Sequence, residues 1–192
     1  MEAFLISTGL VALAEIGDKT QLLALLLAAR FRQPVPIVLG ILLATLLNHG
    51  IAAAFGVWLT SLLGPQALHV LLGLSFILMA GWMLIPDKLD DGGTHHTRFG
   101  VFGTTLVAFF LAEIGDKTQV ATVALAARYD ATLMVVAGTT LGMMLANAPV
   151  VYFGERVAGK IPTRVVHALA AVIFALLGVL ALLRLALILI NE

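Results

Sequence analysis

Residues 13–31 read LAEIGDKTQLLALLLAARF, and residues 111–129 read LAEIGDKTQVATVALAARY. The offset is 98. Nine consecutive residues are identical, Leu13–Gln21 against Leu111–Gln119. The next five all differ, and Leu27-Ala28-Ala29-Arg30 then matches Leu125-Ala126-Ala127-Arg128. The same offset aligns Gly40 with Gly138, Gly56 with Gly154, His69 with His167 and Phe76 with Phe174. Apolar drift alone would not keep Glu15, Asp18 and Lys19 in register with Glu113, Asp116 and Lys117. The chain therefore reads as two repeats, residues 1–86 and 99–192, joined by a short polar linker over 87–98.

Around the repeat the chain is strongly apolar. Of its 192 residues, 61% are hydrophobic and 11% charged, with a mean hydropathy of +1.07. A soluble domain carries about 25% charged residues. So little charge excludes a cytosolic enzyme and a disordered chain. Eleven Lys+Arg against eleven Asp+Glu leave no basic excess for nucleic acid. The absence of cysteine excludes disulfides and thiolate metal sites. An integral membrane protein remains, with the lipid bilayer as its first partner.

Apolar segments over 3–29, 34–62, 65–86, 99–127, 131–157 and 161–190 each reach the ~20 residues a membrane helix needs. Their breaks carry Pro, Gly or charge, as at Gly64-Pro65 and Arg128-Tyr129-Asp130. Membrane β-strands would alternate polar and apolar residues, and these runs do not. The expected fold class is an all-α integral membrane protein with six transmembrane helices. Three helices per repeat force the second repeat to enter from the opposite side, giving an inverted-topology pair of the kind secondary transporters use. No basic region precedes the first apolar run, so no cleaved signal is expected. Arg30, Arg32, Lys88, Arg98, Arg156, Lys160 and Arg164 fall on one side, against Arg128 and Arg184 on the other. This asymmetry predicts a multi-pass inner (plasma) membrane protein with a cytoplasmic central linker and both termini outside.

Lys19 and Lys117 are in no loop. Only twelve residues precede the first motif in its segment and eight follow it, so each motif must lie inside the bilayer. Three intramembrane charges in each of two copies would cost about 15–20 kcal/mol on insertion scales if nothing offset them. Helical spacing would put Glu15, Asp18 and Gln21 on one face, and Glu113, Asp116 and Gln119 likewise. It would also pair Glu15 with Lys19, and Glu113 with Lys117, four residues on. Gly17 and Gly115 weaken the helix at the motif and would permit a break that frees backbone carbonyls. An inverted repeat can bring both motifs together at the midplane. Four carboxylates and two ammoniums then sum to a formal charge of −2, which one divalent cation or two protons would neutralise. Oxygen donors suit Mg, Ca and Mn rather than zinc or copper. Gln21 and Gln119 in the motifs, and Asn48 and Asn147 on the second helix of each unit, are further candidate ligands; Pro149, two residues past Asn147, suggests a local kink there.

The two Glu-Ile-Gly-Asp-Lys-Thr motifs, in a small chain of two three-helix units, resemble those of the transmembrane protein 165 / Gdt1-like family of divalent-cation/proton antiporters, which includes bacterial manganese exporters. The resemblance covers nearly the whole chain. Glu15, Gly17, Asp18, Lys19 and Thr20 match the first family motif; Glu113, Gly115, Asp116, Lys117 and Thr118 match the second. It implies transport of Mn²⁺ or Ca²⁺ against H⁺, with cation and protons as cargo and no enzymatic activity or resident cofactor. Ca²⁺/H⁺ exchange, Na⁺ coupling and a cation channel are the competing functions. An intramembrane hydrolase would need chemistry the chain lacks, such as a His-Glu-x-x-His pair. A homo-oligomer is left open.

The remaining polar residues take plainer readings. His49 reads as a hydrogen-bonded neighbour of the site, and His69 and His167 as interfacial residues near helix starts. Met143 and Met144 read as packing. Asp87, Asp90, Asp91, His95 and His96 read as a solvated connector. Gly138 and Gly142 read as close helix contacts.

Overall fold

A computed structural model describes residues 1–85, 100–154 and 163–190. Every regular element among the described residues is helical. They are α1 (Glu2–Glu15), α2 (Lys19–Phe31), α3 (Pro34–Leu62), α4 (Pro65–Trp82), α5 (Gly100–Glu113), α6 (Lys117–Arg128), α7 (Thr132–Phe153) and α8 (Thr163–Ile190). The linker's charged residues lie outside the described residues, as do Arg156 and Lys160.

Among the described residues, the breaks that Gly17 and Gly115 permit are present, so two of the six expected segments are each built from two helices. The segments 3–29 and 99–127 are not continuous helices; each is two short helices with the motif at the joint. The cause is local. Gly17 and Gly115 take φ of 84° and 75°, the left-handed region where an L side chain is strained. The next residue, Asp18 or Asp116, then caps a new helix. Asp18 accepts from the Lys19 amide at 2.7 Å, and Asp116 from the Thr118 amide at 3.3 Å. Aspartate is among the best N-cap residues, so Gly-Asp serves as a stop followed by a start. The supposed face of Glu15, Asp18 and Gln21 therefore does not exist, because no single helix carries all three.

The two halves meet through reciprocal contacts. α1 packs on α7 and α5 on α3, while α4 lies against α8. A Cβ placed on Gly40 would lie 2.9 Å from the Phe102 carbonyl oxygen and 2.8 Å from Thr105 Cβ. One placed on Gly138 would lie 2.5 Å from the Phe4 carbonyl oxygen and 3.0 Å from Ser7 Cβ. Each position in one pair is its counterpart in the other plus the repeat offset. Gly56 against Val123 and Gly154 against Leu25 repeat the relation. Phe76 and Phe174, equivalent to each other, meet with ring centroids 6.2 Å apart. Contacts of this self-complementary form are what a two-fold relation produces. Glycine supplies the close approach, as in membrane helix packing.

Three of the described helices are long and apolar enough to cross a membrane alone: Pro34–Leu62, Thr132–Phe153 and Arg164–Leu189. The half-helices α1 and α2 span roughly 20 Å each and reach membrane thickness only as a pair. Large apolar side chains cover the outside, with Leu78 72% and Leu133 83% exposed. So continuous an apolar surface suits lipid rather than water.

The packing predicts a contrast between glycines. Gly138→Val should destabilise the protein by about 1–3 kcal/mol through overpacking. Gly9→Ala, in helix α1 with nothing within 4 Å, should be neutral or stabilising by up to ~1 kcal/mol. Thermal unfolding of the two variants in detergent measures the difference, and equal midpoints would contradict this packing.

Candidate functional site

The two breaks place both motifs side by side in the interior. Glu15, Asp18 and Glu113 are fully buried and Asp116 is 2% exposed. The hydroxyl of Thr20 donates to Glu15 Oε2 at 2.5 Å, and that of Thr118 to Glu113 Oε2 at 3.1 Å. Thr118 Oγ1 also lies 3.3 Å from Asp116 Oδ2. In each motif the threonine thus orients the glutamate five residues before it, across the break.

The lysines form ion pairs that cross between the motifs. Lys19 Nζ lies 2.9 Å from Asp116 Oδ1, and Lys117 Nζ lies 3.4 Å from Asp18 Oδ1. The expected Glu15–Lys19 pairing rested on an unbroken helix; once the chain turns at Gly17, each lysine reaches the other motif's aspartate. The pairs are reciprocal but not equal. The Lys19 side chain is 26% exposed, whereas Lys117 is sealed at 0%.

Crosswise pairing leaves the two glutamates as the excess charge. Oε1 of Glu15 and Oε1 of Glu113 are both buried without a hydrogen-bond partner. One carboxylate oxygen from each of Glu15, Glu113 and Asp116 lies within 4.8 Å of the other two. Oxygens around one divalent cation are spaced at about this distance or less.

The amides serve mainly the breaks. Gln21 Oε1 accepts from the Gly17 amide at 2.9 Å, and Gln119 Oε1 from the Gly115 amide at 2.8 Å. Their nitrogens reach across, Gln21 Nε2 to the Ala146 carbonyl at 3.0 Å and Gln119 Nε2 to Asn48 Oδ1 at 3.5 Å. Asn48 Nδ2 donates to the Phe110 carbonyl at 3.1 Å. Asn147 Nδ2 donates to the Met143 carbonyl at 3.1 Å and lies 2.9 Å from its sulfur, leaving Asn147 Oδ1 buried without a partner. α7 continues as one helix through Pro149. His49 departs from the sequence reading: both ring nitrogens are buried and neither makes a hydrogen bond. His167 also departs from it, since Nε2 lies 2.7 Å from the Ile16 carbonyl at the first break.

Buried carboxylates at two broken helices are the kind of arrangement secondary transporters use for their ion sites. The comparisons agree. The family profile described as Divalent cation/proton antiporter GDT1 matches residues 3–91 and 101–187, and the chain belongs to that family. It is a multi-pass membrane transporter and not an enzyme. A Vibrio cholerae protein described as "Putative manganese exporter" is 53% identical over 179 residues, covering 93% of this chain and 89% of that one. GDT1-like protein 3 of Oryza sativa subsp. indica is 30% identical over 201 residues, 90% of this chain and 71% of its own. A GDT1-like protein of Synechocystis is 28% identical, over 94% of this chain and 97% of its own. No solved structure matches.

The unequal lysine pairs give a stability prediction. Lys117→Met removes the buried ammonium that faces Asp18 and should destabilise by roughly 3–5 kcal/mol. Lys19→Met, at a partly exposed pair, should cost less, about 1–2 kcal/mol. Detergent unfolding curves of the two variants test the order, and a larger loss for Lys19→Met would contradict it.

Proposed function

We propose that the chain is a secondary active transporter that exports a divalent cation, Mn²⁺ foremost, in exchange for protons. The observation that carries this reading is the pair of buried glutamates left over after each lysine has paired with an aspartate. Glu15 and Glu113 hold a formal −2 in a region where an isolated carboxylate is too costly to persist. A divalent cation discharges that debt, and so do two protons, one on each glutamate. The two loads compete for the same oxygens, which is the requirement for exchange. Glu15, Glu113 and Asp116 supply one oxygen each. Under the two-fold relation, Glu15, Glu113 and Asp18 form the alternative trio, and the aspartates exchange places as the two units rock. Gly17 and Gly115 allow that motion; Gln21, Gln119, Asn48 and Asn147 are the further candidate ligands, and of these Asn147 has an amide oxygen buried without a hydrogen-bond partner.

The same reading gives six membrane crossings, with α1–α2 and α5–α6 each serving as one discontinuous span. The units 1–86 and 99–192 are inverted, the linker is cytoplasmic, and the termini are outside the inner membrane. All-oxygen donors favour Mn²⁺ or Ca²⁺ over softer metals, and the name of the Vibrio relative points to Mn²⁺. Calcium is the second reading, because the same donors serve it equally well. A site completed within one chain needs no oligomeric ring, which disfavours a channel.

In everted vesicles bearing a pH gradient, Mn²⁺ should dissipate the gradient. Glu15→Gln and Asp116→Asn should each abolish that response while the protein still inserts and folds. Full exchange by either variant would end the assignment. A larger response to Ca²⁺ than to Mn²⁺ would select the second reading.

A further inference from the structure

The proposed function employs the carboxylates, lysines and amides at the two breaks. It leaves His167 unused. This residue sits one turn into α8, in the last apolar segment of the chain, yet its ring reaches the first motif. Nε2 lies 2.7 Å from the carbonyl oxygen of Ile16. A carbonyl only accepts, so Nε2 carries the hydrogen and donates it.

The carbonyl concerned is the one the break releases. In an unbroken helix the Ile16 oxygen would accept from the amide four residues on. At Ile16 the chain instead leaves the helix with ψ of 114°, and Gly17 turns it through positive φ. The surrounding backbone groups are otherwise provided for. Asp18 N donates to the Glu15 carbonyl at 3.1 Å, and Gly17 N to Gln21 Oε1 at 2.9 Å. A helix of the opposite repeat thus satisfies the freed oxygen beside Glu15.

We propose that His167 is a positioning residue for cation binding, a latch from α8 that holds the first break in the shape that aims Glu15 at the shared site. The residue does not touch the cation. It fixes the peptide that follows Glu15, while Thr20 fixes the carboxylate itself. The latch also ties the α4–α8 pair to the motif, so a shift of α8 against α1 reaches the site directly. The proposal rests on the transport reading for its kinetic test and is independent of it for its structural one.

The kinetic test measures Mn²⁺-driven exchange in vesicles for His167→Leu and His167→Gln. Loss of the hydrogen bond should raise the KM for Mn²⁺ about five- to tenfold, with the maximal rate per folded protein within about twofold of the parent. Gln retains an N–H donor and should bring KM back to within about twofold. A purely packing role would instead lower the amount of folded transporter and leave KM alone. An unchanged KM in the Leu variant, or no recovery by Gln, overturns the proposal. The structural test uses the absence of native cysteine. Ile16→Cys keeps the backbone carbonyl and provides a single thiol at the break. Its reaction with a water-soluble maleimide should quicken severalfold when His167→Leu is added and return when His167→Gln is used instead. Equal labelling in all three backgrounds overturns the latch even if the protein transports. If the parent shows no exchange, the transport reading fails while the labelling still decides the latch.

Discussion

The constraint on which the structure depends is the cost of charge away from water. Six ionisable groups from two motif copies are brought together in the interior, and none has bulk solvent to screen it fully. Pairing each lysine with the aspartate of the other motif neutralises four of them. The pairing has a second consequence. Because the partners come from opposite repeats, the two halves cannot separate without exposing a charge in both, so the electrostatics that settle the site also hold the halves in register. The reciprocal glycine contacts do the same job sterically, on the flanks.

The break in the first helix of each repeat follows from the same constraint. A continuous helix would place the motif's charges around a cylinder and pair them locally. Gly at positive φ followed by a capping Asp turns the chain within three residues, and it places a helix N-terminus, with its partial positive charge, beside the carboxylates. The Gln three residues after the cap then occupies the amide that the turn exposes. The EIGDKTQ string is thus a compact recipe: one glutamate for the shared charge, a glycine to turn, an aspartate to cap and to pair, a lysine for the opposite aspartate, a threonine to orient the glutamate, and a glutamine to seal the turn.

Much of this was legible in the sequence. The repeat at fixed offset, the helical class, the membrane setting and the burial of both motifs all followed from apolar length and charge placement. The glycines also pointed to the break. What could not be read was its consequence. Periodicity assumes an unbroken helix, so it placed Glu15 with Lys19 and put three side chains on a face that the turn at Gly17 abolishes. Crosswise pairing depends on how the halves meet, and no local pattern encodes that. His167 was missed for the same reason, since its partner is a backbone carbonyl 151 residues away. His49 was misjudged because a lone buried histidine is ordinarily hydrogen-bonded. It occupies the position that Asn147 holds in the other repeat, and Asn48 likewise stands where the other repeat has Ala146, so the second helices are not equivalent at the site.

The central claim is that a divalent cation and two protons are alternative loads for the glutamate pair. Proton release on binding tests it most directly. Purified protein in weakly buffered detergent is titrated with Mn²⁺ while the pH is followed, and the ion bound is measured in parallel. The account predicts about two protons released per cation bound, by linkage between ligand deprotonation and metal binding. Binding without proton release would contradict it.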